Sequence, residues 1–311
     1  MALSEQDADA VTVHNYGSIN IDHVYRVPHL VRPGETLSST DYRIVLGGKG
    51  ANQSLALARA GGRVDHWGQL GDSDRWALDS LREAGVGTEH IALMAGASGH
   101  TVIQVDDAGE NAIVLFGGTN QRFEPARLAQ LVDDAEHGNW LLLQNECNAT
   151  ADLIERALEH GLKVAFNPAP MTREVQELPL DDLSLLFVNR GEAAGLVDRG
   201  ETTNARALAE ALHERLPETD IVLTLGGDGA WFIAANSGET HHQPARPAEV
   251  VDTTGAGDTF IGYYMAALQR GGDVATCLVR ATAAAALAVQ RPGAATSIPT
   301  VDEVEALLGT S

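Results

Sequence analysis

Residues 140–167, WLLLQNECNATADLIERALEHGLKVAFN, decide the fold class. The apolar run Trp140–Gln144 reads as a short buried strand, residues 150–160 as a helix, and Lys163–Asn167 as a second strand. The same alternation continues on both sides. Residues 185–189 and 221–225 repeat the strand pattern, and 257–270 and 274–290 read as two long helices. On the N-terminal side, 11–13 opens as a strand. Residues 52–60 carry Leu55, Leu57 and Ala58 among good helix formers and stop at Gly61-Gly62. Residues 64–68 follow as a strand, and 72–84 as an amphipathic helix stopped by Gly85. Strands alternating with helices predict an α/β fold, a mostly parallel sheet with helices on its faces.

Two stretches break the alternation. Residues 22–46 and 98–116 contain β-branched segments such as Tyr42-Arg43-Ile44-Val45 and Thr101-Val102-Ile103-Gln104-Val105. In the second, Asp106 to Glu110 between two apolar runs signals a hairpin. The residues leave two readings open: a small β-structure standing off the main sheet, or edge strands of it. No repeat or Pro-rich linker divides the chain, so residues 1–311 are expected to form one domain with a small β appendage.

Composition narrows the function. At 44% hydrophobic and 21% charged, a chain of 311 residues has the means for a sizeable core and is not a disordered one. The 32 glycines follow no collagen period. A net charge of −22 makes nucleic acid a poor partner, because phosphate binding needs clustered Lys and Arg. Only Lys49 and Lys163 are lysines, so a lysine inside a glycine loop stands out. Cys147 and Cys277 form no CxxC or zinc spacing. The start MALSEQDADA lacks the basic and apolar regions of a signal peptide, and no apolar run reaches membrane-spanning length. A cytoplasmic, membrane-free protein is expected.

Three glycine loops carry the chemistry. Gly47-Gly48-Lys49-Gly50-Ala51-Asn52 lies between a strand and a helix, where glycines let backbone N–H groups approach a ligand. It is neither GxxxxGK[ST] nor GxGxxG. A tight turn into the helix is the bland alternative. Thr253-Thr254-Gly255-Ala256-Gly257-Asp258 opens the helix at 257, and such an N-terminus is an anion site. Asp258 is either a partner of the helix dipole or a base placed beside the anion hole. Thr224-Leu225-Gly226-Gly227-Asp228-Gly229 closes another strand, as a turn or a nucleotide contact.

Together with Gly17-Ser18-Ile19-Asn20-Ile21-Asp22, Pro33-Gly34-Glu35-Thr36, Asn167-Pro168-Ala169-Pro170, Asn189-Arg190-Gly191-Glu192 and Asp252-Thr253-Thr254-Gly255-Ala256-Gly257-Asp258-Thr259-Phe260, these loops resemble the ribokinase family of ATP-dependent sugar kinases, from about residue 11 to Pro299. The resemblance implies a three-layer sandwich with a central, mostly parallel sheet and a β lid at 22–46 and 98–116. It also implies ATP-dependent phosphorylation of the primary hydroxyl of a sugar, D-ribose first, with another pentose, a hexose, a keto-deoxy sugar acid or a nucleoside as alternatives. A catalytically silent sugar-binding homologue is disfavoured by the intact Asp258 and glycines.

Residue by residue, the family pattern makes Asn20, Asp22, Gly48, Lys49, Asn52 and Glu146 the sugar contacts and Asp258 the catalytic base. Gly255, Ala256 and Gly257 match the anion hole; Asn189, Thr224, Gly226, Gly229, Gly257 and Thr282 match the nucleotide site. Asn189 and Glu192 match the segment that positions Mg²⁺. Asp252, Thr254, Ala288, Arg291, Gly293 and Ser297 match a K⁺ cage in which Asp252 supplies the only charge. A homodimer through the lid is also implied.

Gly99-His100-Thr101 departs from the more apolar lid segment of the family. An inward-facing Thr101 would read an additional substrate group, while His100 is expected to be solvated or at an interface. His241-His242 is expected in a surface loop, and the alanine-rich run 281–288 in a close-packed core helix.

Overall fold

Thirteen strands form in the computed structural model, which describes residues 11–200 and 204–309. In chain order they are β1 (Val13–Tyr16), β2 (Asn20–Arg26), β3 (Asp41–Gly47), β4 (Val64–Gly71), β5 (Ile91–Met94), β6 (Gly99–Val105), β7 (Asn111–Phe116), β8 (Trp140–Gln144), β9 (Lys163–Asn167), β10 (Leu185–Asn189), β11 (Asp220–Thr224), β12 (Ala230–Ile233) and β13 (Thr240–Gln243). The helices are α1 (Lys49–Arg59), α2 (Arg75–Glu83), α3 (Pro125–Asp133), α4 (Thr150–Glu159), α5 (Arg190–Leu196), α6 (Ala205–Arg215), α7 (Ala256–Gln269), α8 (Val274–Ala288) and α9 (Val301–Gly309).

Nine strands make the main sheet, in the order β13-β12-β11-β10-β9-β8-β1-β4-β5. The seven from β11 to β5 are parallel; β12 and β13 add antiparallel at one edge. All five residues of β8 are buried, which explains its unbroken apolar run: helices cover both faces. Leu142 points into one core with Leu57 of α1, Tyr264 of α7 and Ala281 of α8. Leu141 and Leu143 point into the other, with Leu131 of α3, Ile154 of α4 and Leu208 of α6. The result is the expected three-layer α/β architecture.

The segments that broke the alternation form a separate four-stranded sheet, β3-β2-β6-β7, rather than extra strands of the large one. Its β2–β6 pair is parallel and places Asp22 opposite Thr101, while β6 and β7 form an antiparallel hairpin.

Several boundaries differ from expectation for local reasons. Helix α1 starts at Lys49, three residues early, because Gly48 at φ +92° turns the chain out of β3 at once. Residues 72–84 split into a 3₁₀ turn at Asp72–Asp74 and then α2. His241 and His242 lie in an exposed edge strand and not in a loop; β13 pairs antiparallel with β12, His242 opposite Trp231. The alanine run is core: Ala281, Ala283, Ala284 and Ala288 of α8 are buried.

Helices α1 and α7 touch closely. A Cβ on Gly262 would lie 2.7 Å from the Leu57 nitrogen and 2.8 Å from the Gln53 carbonyl oxygen. Only glycine permits that approach, and it brings the first turns of the two helices together.

Candidate active site

The carboxyl ends of β9, β10 and β11 and the first turns of α1 and α7 surround a cleft of about 220 Å³. A switch from strands to loops at this edge is where open α/β sheets leave room for a ligand. Lys49, Asn167, Asn189, Glu192, Thr224, Gly255, Gly257 and Asp258 line it.

Gly255 caps α7 at φ +72°, and a Cβ there would lie 2.9 Å from the Ala294 side chain. Glycine is therefore required for the chain to enter the helix at this angle. Gly257 faces open space. The first turn of α7 thus turns the Gly255 and Gly257 backbone and the positive end of the dipole to the cleft, while the Ala256 N–H donates to the Thr253 carbonyl at 3.2 Å.

Asp258 lies in that turn and is buried. Asn52 Nδ2 donates to its Oδ2 at 3.1 Å, and Gln53 Nε2 to its Oδ1 at 3.0 Å. Burial pushes the carboxyl above its ordinary range, while Lys49 and the Gln53 and Asn52 amides pull the other way. A carboxylate so raised is a stronger proton acceptor. Burial alone would lower Lys49, but attraction to Asp258, then Glu146 and Glu192, leaves it raised, so its charge is retained.

Glu146, in the loop after β8, accepts from the Ser18 hydroxyl and from the Lys49 backbone N–H at 3.1 Å. Asn20 is buried and accepts from Asn120 Nδ2 at 2.8 Å. Asp22 accepts from Thr101 Oγ1 at 2.6 Å, so Thr101 faces inward. Burial raises the Asp22 carboxyl, and Thr101 opposes that rise. A Cβ on Gly47 would lie 1.9 Å from Asp22 Oδ2, so glycine is needed there for the carboxylate to stand over β3. His100 instead packs on Phe116 and His23 at the outer side of the small sheet.

Asn189 and Glu192 form a reciprocal capping box on α5. Glu192 Oε2 accepts from Asn189 N at 2.9 Å and Oε1 from Asn189 Nδ2 at 2.8 Å. Burial raises the Glu192 carboxyl. Of the expected nucleotide set, Thr224 lines the cleft and Gly226 is open at φ +58°. Gly229 packs against the Gln243 carbonyl and shapes the turn itself. Thr282 is buried within α8, its hydroxyl donating to the Leu278 carbonyl.

The loops at 252–254 and 288–297 meet through Asp252. Its Oδ1 accepts from Thr254 N at 2.9 Å and Thr254 Oγ1 at 2.6 Å, and its Oδ2 from Gly293 N at 2.8 Å. These donors hold its carboxyl below the usual range despite burial. Ser297 Oγ donates to the Ala294 carbonyl at 2.8 Å, and Arg291 N to the Ala288 carbonyl at 3.1 Å. The Arg291 guanidinium turns away to Glu303.

Sequence reasoning missed Gln53, Asn120 and Asn167 as site residues. Asn120 holds the Ile19 backbone N–H at 3.1 Å as well as Asn20. The available signals were an amide directly after Asn52 and a polar residue after Gly117-Gly118.

A family model described as the pfkB family carbohydrate kinases matches residues 12–301. The chain belongs to that family. Among pfkB relatives, the ribokinase of Haemophilus influenzae is 33% identical over 294 residues, covering 92% of this chain and 95% of that one. The ribokinase of Cryptococcus neoformans, solved in complex with ADP, superposes with a TM-score of 0.83 at 33% identity, covering 96% of this chain and 100% of that one. The Arabidopsis thaliana ribokinase, complexed with ribose and ATP, gives 0.86 at 28% identity, over 97% of this chain and 100% of that one. The pfkB assignment makes this protein a carbohydrate kinase.

Proposed function

We propose that this kinase transfers the γ-phosphoryl group of ATP to the primary hydroxyl of a pentose, D-ribose first. The observation that carries the reading is Asp258: a buried carboxylate between amide donors, on the helix turn whose Gly255 and Gly257 backbone faces the same cleft. Relatives solved with ADP, or with ribose and ATP, supply the substrate classes.

In this reading the sugar lies between Asn20, Asp22, Lys49, Asn52 and Glu146. Asp258 takes the proton of the primary hydroxyl as its oxygen attacks the γ-phosphorus, and ADP leaves in line. The N–H groups of Gly255 and Gly257, joined by that of Ala256 once it leaves the Thr253 carbonyl, stabilise charge on the transferring group together with the dipole of α7 and Lys49. Thr224, Gly226 and Gly229 border the nucleotide; Thr282 contributes by packing α8 beneath it.

The oxygen-rich wall formed by Glu192 and Asn189 fits a Mg²⁺ ion arriving with the triphosphate, and such an ion neutralises phosphate charge. The ionised Asp252, with the Ala288, Arg291 and Gly293 carbonyls, Thr254 and Ser297, fits a K⁺ ion that would order the loop before Gly255. The four-stranded sheet acts as the lid, and its exposed strand β7 pairs the kinase with a second copy.

The Thr101 hydroxyl on Asp22 favours a second reading, a pentose related to ribose, since one carboxylate lone pair is already occupied. A coupled ATP assay over ribose, 2-deoxyribose, hexoses, keto-deoxy sugar acids and nucleosides, with and without K⁺, tests both. Ribose or a close pentose should give the highest kcat/KM. No phosphorylation of any sugar would sink the proposal.

A further inference from the structure

Between the two cores runs a chain of buried amides. Asn15 on β1, Gln144 at the end of β8, and Gln53 near the start of α1 are each at most 1% exposed. They connect in one direction. Asn15 Nδ2 donates to the Gly50 carbonyl at 2.8 Å and to Ser54 Oγ at 2.8 Å. Its Oδ1 accepts from Gln144 Nε2 at 2.9 Å. The same Gln144 nitrogen donates to Gln53 Oε1 at 2.7 Å, and Gln53 Nε2 donates to Asp258 Oδ1 at 3.0 Å.

The direction is forced at both ends. The Gly50 carbonyl can only accept, so Asn15 must turn its NH₂ there and its oxygen toward Gln144. That sets Gln144 nitrogen-inward and gives Gln53 a donor for its oxygen. Gln53 also reaches Asn167 Oδ1 at 3.4 Å, and Asn167 Nδ2 is fixed on the Phe187 carbonyl at 3.1 Å. Both backbone carbonyls therefore demand the same orientation of the Gln53 amide. The arrangement costs something: Gln144 Oε1 is buried with no protein partner. Turning that amide over would set its oxygen against the Asn15 and Gln53 oxygens.

We infer that Gln144 and Gln53 are positioning residues for phosphoryl transfer, an amide relay that holds an N–H on Asp258 and keeps its carboxylate oriented and ionised. The inference rests on the reading of Asp258 as the base. An amide N–H bonds an ionised carboxylate oxygen more strongly than a neutral carboxyl oxygen, so the relay favours the proton-free form. Gln144 acts without touching Asp258. The other charged groups that bear on Asp258 are Lys49 on α1, Glu146 after β8 and Glu192 on α5. His66 meets the chain only through Ser54, at 2.8 Å.

The test is the pH profile of kcat for Gln144→Leu and Gln53→Leu, with thermal unfolding as the check on folding. Loss of a hydrogen bond to a charged group predicts that kcat falls about tenfold or more and that its acid limb moves up by about one pH unit. The KM for ATP should stay within about twofold, because the relay stands behind the base and away from the nucleotide. The double variant should do no worse than Gln53→Leu alone, since the two act in series. Gln144→Met carries the same test if the leucine variant does not fold. An unchanged kcat and acid limb in a folded Gln144 variant overturns the relay. It would leave Asp258 as base untouched, because that role is decided by substitution of Asp258 itself.

Discussion

Thr101 Oγ1 donates to Asp22 Oδ1 over 2.6 Å, between residues that are register partners on two parallel strands of the small sheet. A hydroxyl here does two things: it fixes the carboxylate's rotamer and lowers a pKa that burial raises. Thr101→Val keeps the shape and removes both effects. The sugar KM should rise about tenfold with kcat little changed. Asp22 would then protonate at higher pH, so the acid limb of kcat/KM should move up. Initial-rate kinetics from pH 5 to 8 would show this; an unchanged KM and limb would remove Thr101 from sugar recognition.

Gly255 at φ +72° lies under Ala294. Gly255→Ala adds a left-handed strain of about 1–2 kcal/mol and a clash that must move the first turn of α7. The kcat should fall at least about tenfold as the N–H donors shift, with the fold retained. Near wild-type kcat in this variant would count against the anion hole.

His66 is wholly buried, and burial lowers its pKa from 6.5 to about 4. The unfolded chain takes up a proton below about pH 6.5 that the folded chain refuses. Stability from this group is thus complete above that pH and is lost as pH falls toward 4. The total is on the order of 3 kcal/mol. Denaturant unfolding across this window should lose less stability in His66→Gln than in the wild type. Parallel curves for the two proteins would contradict the assignment.

Strand β7 exposes Ile113, Val114, Leu115 and Phe116, with Val114 at 70%. An apolar edge strand of this length invites a partner, and a second copy would cover it. Light scattering should give a dimer, and Val114→Lys with Phe116→Lys a monomer. A monomeric wild-type protein at working concentration would refute the pairing.

The sequence shows most clearly what is local. Strands β8, β9 and β10 were readable to the residue because both faces are buried and the apolar runs end at polar residues. The loop at 252–258 announced a helix N-terminus through its glycines. The small sheet was ambiguous because alternation does not say which sheet a strand joins. Gln53, Gln144 and Asn15 were invisible as a group: the links Gln144–Gln53, Gln144–Asn15 and Gln53–Asp258 span 91, 129 and 205 positions. No spacing rule reaches that far. The acidic surplus, −22 overall, extends to the cleft, whose lining holds one lysine, Lys49, beside Glu192 and Asp258.

Asp258 as general base is the central claim, and Asp258→Asn tests it most directly. The substitution keeps the shape, so sugar and ATP binding by calorimetry should survive. The kcat in the coupled assay should fall by about 10²–10⁴-fold. An Asp258→Asn protein that binds both substrates and turns over at near wild-type rate would contradict the account.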